Sequence, residues 1–226
     1  VHAVLVCLGV ESDADLARIW SGVIRDDYIR DLHGKIQKID GYLDLVQELG
    51  ERADRREAAA RLADYINDRV AAVSSAVEGC RRPRVYYSMG SPLFALNADR
   101  FEMSLVEAAG GDPINRGIER AGKPGVNITA EEFTAFNPEY IFISGFLSAP
   151  ASDYIAACRR LGLSADAIEH GRVYALPPGW DFGNPRWTLG LTVIATTLHP
   201  KQATFDLAAE QDRFYRMFYG TDAATV

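Results

Sequence analysis

The sequence is poor in the residues on which most enzymes and metal centres depend. Its 226 residues hold three cysteines and four histidines. Cys7, Cys80 and Cys158 are odd in number, far apart, and outside any CxxC or Cys/His ligand spacing, so they read as free buried thiols. His2, His33, His170 and His199 fall in four separate regions, and none pairs with a cysteine or carboxylate at ligand spacing. His199, in "LHP", reads as a cap where a helix ends. No Walker loop, GxGxxG turn, GxSxG elbow or HExxH pair occurs. Ser91 has no nameable base. The chain is therefore expected to be no enzyme and to hold no cofactor or metal of its own.

Positive charge is also short. Lys and Arg total 24 against 31 Asp and Glu, a net charge of −7. That balance argues against a nucleic-acid partner, because little is present to displace counterions from phosphates. No apolar run approaches the roughly 20 residues needed to span a bilayer. The opening "VHAVLVCLGV" lacks the basic flank and small-residue cleavage site of a signal peptide. Residues 3–10 read better as a buried strand ending in Gly9.

What is present is a globular composition, 48% hydrophobic and 24% charged. Helical spacing is expected over 12–32, with Ser12 as cap, over Ile39–Leu49, and over a long stretch from Asp54 to Gly79. In that stretch Leu62, Ile66, Val70, Val73 and Val77 step by three or four residues. A helix of this length suits a strut. After "CRRPR" strands and helices alternate: "VYYSMG", "RFEMSLVEAAGG", "ITAEEFTAF", "EYIFIS", "SDYIAACRRLG", "RVYALP", "PRWTLGLTVIATTLHP" and "DLAAEQDRFYRMFYG". Alternation predicts a parallel sheet covered on both faces from residue 84 onward. Ligands of such sheets sit at the carboxyl ends of the strands. Here those ends are Met89-Gly90-Ser91, Ser144-Gly145-Phe146 and Leu176-Pro177-Pro178-Gly179-Trp180, all rich in glycine, proline or aromatics.

"RPRVYYSMGSPLFALNADRFEMSLVEAAGGDPIN", "ITAEEFTAFNPEYIFISG", "GRVYALPPG" and the closing "LHP…FYRMFYG" resemble, in order and spacing, the substrate-binding proteins of ABC importers for ferric siderophores, cobalamin and heme. The resemblance covers about residues 42–220. It implies an α/β fold, with a Rossmann-like parallel-sheet C-terminal lobe (81–226) that carries helices on both faces. A long inter-lobe helix (51–80) precedes that lobe, and residues 1–50 stand as the remnant of a truncated N-terminal lobe. It implies a monomer that carries a ferric siderophore-type chelate, with cobalamin or heme as alternative cargo, to an ABC permease. The place is periplasmic or extracellular, with attachment through the transporter or a lipid anchor. A cytoplasmic α/β enzyme or interaction domain sharing the lobe fold is the reading from another class.

Residue by residue, the resemblance places Glu131, with Glu132 beside it, where the family carries a carboxylate that docks onto the permease. Both also suit the first turn of a helix capped by Thr129 or Asn127. For the ligand, the loop residues Ser91, Phe94, Phe146, Trp180 and Phe182 are candidates, the aromatics for flat apolar contact. Lys123 and Arg186 are candidate cations for an anionic chelate. Arg116 and Arg120 have solvated surface roles as their default. Trp187, Tyr86, Tyr87 and Met89 read as core, Met89 with heme ligation as an alternative.

Overall fold

The structure, a computed structural model, describes residues 1–25, 34, 36–120, 122, 124–147 and 149–223. The first helices are α1 (His2–Cys7), α2 (Asp13–Arg25), α3 (Ile39–Arg52) and the strut α4 (Arg56–Ala76). The expected strand at 3–10 is thus a helix. Its apolar residues explain this: Val4, Leu5, Cys7 and Leu8 fall three or four apart, and all are buried. A helix satisfies its own backbone, whereas a strand here would need a ladder partner, and the sheet is built from residue 84 onward. The expected helix over 12–32 is present as α2, and residues 26–33 lie outside the described residues. Asp54 does not cap the strut; it takes a left-handed turn conformation (φ 52°), and Arg55 is the N-cap.

The strut has 21 residues, about 32 Å at 1.5 Å per residue. Leu62, Tyr65, Ile66 and Val73 form its buried stripe. Tyr65 meets Phe214 and Phe218 of the last helix, Leu207–Tyr219, at centroid distances of 5.7 and 5.3 Å. Arg69 bonds Glu210 of that same helix at 2.6 Å, both side chains being mostly buried. The strut is therefore clamped along its length.

The sheet comprises β1 (Arg84–Ser88), β2 (Phe94–Leu96), β3 (Asp112–Pro113), β4 (Gly125–Asn127), β5 (Tyr140–Ile143) and β6 (Val173–Ala175). Its order is β4-β2-β1-β5-β6, with β3 on β1. The β1, β3, β5 and β6 pairings are parallel; β2 runs antiparallel to both β1 and β4. The parallel expectation holds for the centre and fails at one edge. "SPLFALNAD" folds straight back as β2 after the turn at Ser91, a connection too short for a parallel crossover.

Between these strands lie α5 (Phe101–Ala108), α6 (Ala130–Phe136), α7 (Ala151–Arg160) and α8 (Asp166–Glu169), followed by α9 (Trp187–Leu198) and α10 (Leu207–Tyr219). Helices cover both faces. Val85, Tyr87 and Phe142 face a core shared with α1, α3, the strut, α5, α9 and α10. Tyr86, Ile141 and Ile143 face Phe133, Tyr154 and Cys158. The two tyrosines thus point to opposite faces, and each is fully buried. Trp187, at the start of α9, is likewise core, edge-on to Tyr42 and Phe101. His199 caps α9, its Nε2 at 3.2 Å from the Gly110 carbonyl. Cys7 and Cys158 are buried free thiols, whereas Cys80 is half-buried.

Candidate functional site

The carboxyl ends of β1, β5 and β6 come together at one end of the sheet. Parallel pairing in register (Ser88 with Ile143, Ile143 with Ala175) brings Met89–Ser91, Ser144–Leu147 and Leu176–Phe182 side by side. Two glycines make the approach possible. A Cβ at Gly145 would collide with the Pro177 carbonyl, and one at Gly190, on α9, would overlap the Trp180 carbonyl. Only a residue without a side chain lets these backbones touch.

The rim this creates is apolar. Phe146 is 76% exposed and Leu147 53%, uncommon values for large hydrophobic side chains on a folded surface. Pro177 and Pro178 are exposed beside them, and Ser91 is exposed on the neighbouring turn. Trp180, Phe182 and Phe94 are half-buried and pack on the main core, so each presents only part of its ring to the rim.

Under the rim lies a charged cluster. Asp181 is 2% exposed; its Oδ2 accepts the Gly145 N–H at 2.9 Å and the Tyr87 hydroxyl at 3.3 Å. Burial raises its carboxyl above the ordinary value, opposed by hydrogen bonds from Ser144, Gly145 and Tyr87. Glu102, on α5, is buried and bonds Arg100 at 3.3 Å. Burial pushes its carboxyl up to about 7, against the pull of Arg100 and with a further push from Asp181. The Arg100 guanidinium stacks on the Phe182 ring at 4.4 Å. Sequence reasoning missed Arg100, Glu102 and Asp181. Glu102 looks like an ordinary first-turn acid, and the one available signal was a lone carboxylate inside the apolar loop "PPGWDFGNP".

Of the two candidate cations, Arg186 lies against Gly179 of the Trp180 loop. Arg186 is half-buried and bonds the Tyr215 hydroxyl on α10 at 3.2 Å. Arg116 is held by Glu107 in a bidentate pair (2.8 and 3.0 Å) and by the Ala98 carbonyl. Arg120 forms a bidentate pair with Glu132 at 2.6 and 2.9 Å. Lys123 lies outside the described residues. Met89 is buried in the core. Among the described residues, no group of three His, Cys, Asp or Glu side chains is placed to hold a metal ion.

The two glutamates before β5 have different surroundings. Thr129 and Glu132 form a full capping box: the Thr129 hydroxyl accepts the Glu132 N–H and the Glu132 carboxylate accepts the Thr129 N–H. With Arg120 as well, Glu132 is engaged in holding the helix start. Glu131 is exposed beside it, its carboxyl lowered first by its own backbone N–H and then by the Thr129 hydroxyl. Replacing Thr129 with alanine removes the cap and is expected to cost about 1 kcal/mol, measured by urea unfolding. An unchanged midpoint would show that Arg120 alone secures this turn.

Residues 8–179, most of the chain, match the family model for periplasmic binding proteins. The chain belongs to that family. None of the curated proteins matches it in sequence. Among solved structures, a periplasmic solute-binding protein of Veillonella parvula superposes with a TM-score of 0.70 at 22% identity, over 81% of this chain and 57% of its own. CeuE of Helicobacter pylori, solved as a Ni-His complex, gives 0.70 at 19%, over 83% and 60%. MolA of Haemophilus influenzae, solved with molybdate, gives 0.68 at 18%, over 81% and 57%. These likenesses establish a periplasmic-binding-protein fold, of which the chain spans under two thirds of each neighbour's length. No helix among the described residues is long and apolar enough to cross a membrane.

Proposed function

We propose that this periplasmic binding protein is the solute-binding component of an ABC importer, and that its cargo is a ferric siderophore-type chelate. In this reading residues 81–226 form the C-terminal lobe and 51–80 carry the inter-lobe helix. Residues 1–50 stand where an N-terminal lobe precedes that helix. The single observation that carries the cargo class is the rim: exposed Phe146 and Leu147 beside Pro177, Pro178 and the partly open Trp180 ring. Such a surface suits a molecule with flat apolar faces, as aryl chelating groups have, over a small hydrated oxyanion. The family's extracytoplasmic setting agrees with this cargo.

Tryptophan quenching tests the cargo. Titration with a ferric catecholate, cobalamin, hemin, molybdate and Ni-histidine is expected to give saturable quenching with the catecholate and none with molybdate. Saturable binding of molybdate alone would sink the reading. A Soret band after hemin addition would move the cargo to heme.

Glu131 is the permease-facing residue of this proposal. A carboxylate on the first turn of a surface helix is exposed and fixed in direction, and Glu132 is occupied by its cap. Glu131→Ala is expected to lower importer-dependent uptake while leaving cargo affinity unchanged. Uptake equal to that of the unaltered chain would remove Glu131 from this role.

A further inference from the structure

We infer that Asp181 is a positioning residue of the rim: its one carboxylate locks the Phe146 turn to the Trp180 loop, and Glu102 beside it makes the lock respond to pH. The inference rests on the reading of this rim as the cargo surface. The two segments leave different strands, and Asp181 joins them. It belongs to the loop after β6, yet its Oδ2 is bonded to Gly145 N–H after β5 and to the hydroxyl of Tyr87 on β1. With the side chain 2% exposed, water has no access to replace these donors. The residues flanking Asp181 are Trp180, which contributes to the rim, and Phe182, which is pinned under Arg100.

Glu102 sets the charge balance around this lock. Its Oε2 is buried without a partner, and its other oxygen meets Arg100. Among the described residues, the charged and titratable groups facing the two carboxylates are Arg100, Tyr87 and each other. The helices packed on α5, the strut and α9, add no charge to either. While Glu102 keeps its proton, it adds no negative charge beside Asp181 or Arg100. When Glu102 loses the proton to solvent, a negative charge appears beside Asp181 and pulls Arg100, its hydrogen-bond partner, from Phe182. Both effects loosen the loop. The rim is therefore tightest on the acid side of neutrality and slackens above it.

Amide hydrogen exchange without cargo tests this directly. Between about pH 6 and about pH 8, after correction for intrinsic rates, protection at 145–147 and 179–183 is expected to fall together by about tenfold, the change that one pKa unit of coupling carries. Glu102→Gln should remove that dependence. Asp181→Ala should speed exchange in both segments at every pH while the strut amides stay as they were. Segments that respond separately, or a pH profile that Glu102→Gln leaves intact, would overturn the inference. If Asp181→Ala does not fold, the comparison of the unaltered chain with Glu102→Gln still decides. Because no cargo is present, failure here is distinct from failure of the quenching titration.

Discussion

Gly190→Ala is expected to lower the unfolding free energy by about 3 kcal/mol and to abolish cargo-induced tryptophan quenching. The added methyl would occupy the position of the Trp180 carbonyl, with the Trp180 Cβ close behind. Backbone cannot yield as a flexible side-chain end does. Either α9 moves away from the sheet, or residues 177–183 lift off. The first route is opposed by the fully buried side chains of Trp187, Leu191 and Ile194 on the same helix. The loop is the softer element, so the strain goes there and carries Trp180 and Asp181 out of place. Chemical denaturation measures the stability loss, and the quenching titration measures the loop. A variant that binds as well as the unaltered chain would show that the Trp180 loop takes no part in the site.

The second large effect is a pH dependence of stability. The Glu102 carboxyl is raised in the folded protein from 4.5 to about 7 because it is buried. Between those values the folded chain holds a proton that the unfolded chain has released. Its contribution is therefore complete below about 4.5, falls as pH rises, and is spent above about 7; the full span is on the order of 3 kcal/mol. Glu131, Glu132 and Glu139 are lowered, so their contributions run the other way and are lost only as pH falls below the ordinary carboxylate range. Glu102→Gln isolates the effect, since its amide oxygen still accepts from Arg100. The difference between the stability curves of the two proteins should change by that span across the window. Parallel curves would mean that Glu102 is ionised throughout.

Much of the fold from residue 84 onward was legible in advance because its elements are marked locally. The helix at Ala130–Phe136 and the strand at Tyr140–Ile143 announce themselves through a Thr-x-x-Glu cap, an Asn-Pro break and an unbroken apolar run. Asn137 adopts the left-handed conformation (φ 39°) that ends the helix and turns the chain into β5. The strand at Phe94–Leu96 was not legible, because three residues after a Ser-Pro turn carry no periodicity. The opening run was misread as a strand because β-branched residues favour both a buried strand and, when spaced for it, a buried helix.

The candidate site divides in the same way. Phe146 and Trp180 follow from strand ends in a covered parallel sheet, since such ends are where the backbone leaves the layer. Arg186 lies against Gly179 of that loop. Its bond to Tyr215, which lies 29 residues away, could not be read from local sequence.

By itself the sequence determined the alternation of strands and helices, the long strut, the capped helix before β5 and the loops that end the strands. These depend on contacts a few residues apart, where spacing and capping chemistry act. Only the tertiary structure decided that residues 2–7 are helical, that Glu132 is paired with Arg120 as well as with its cap, and that Arg100, Glu102 and Asp181 meet beneath the rim. The last two of these are separated by 79 positions in the chain, and their charges interact only because folding removes the water between them.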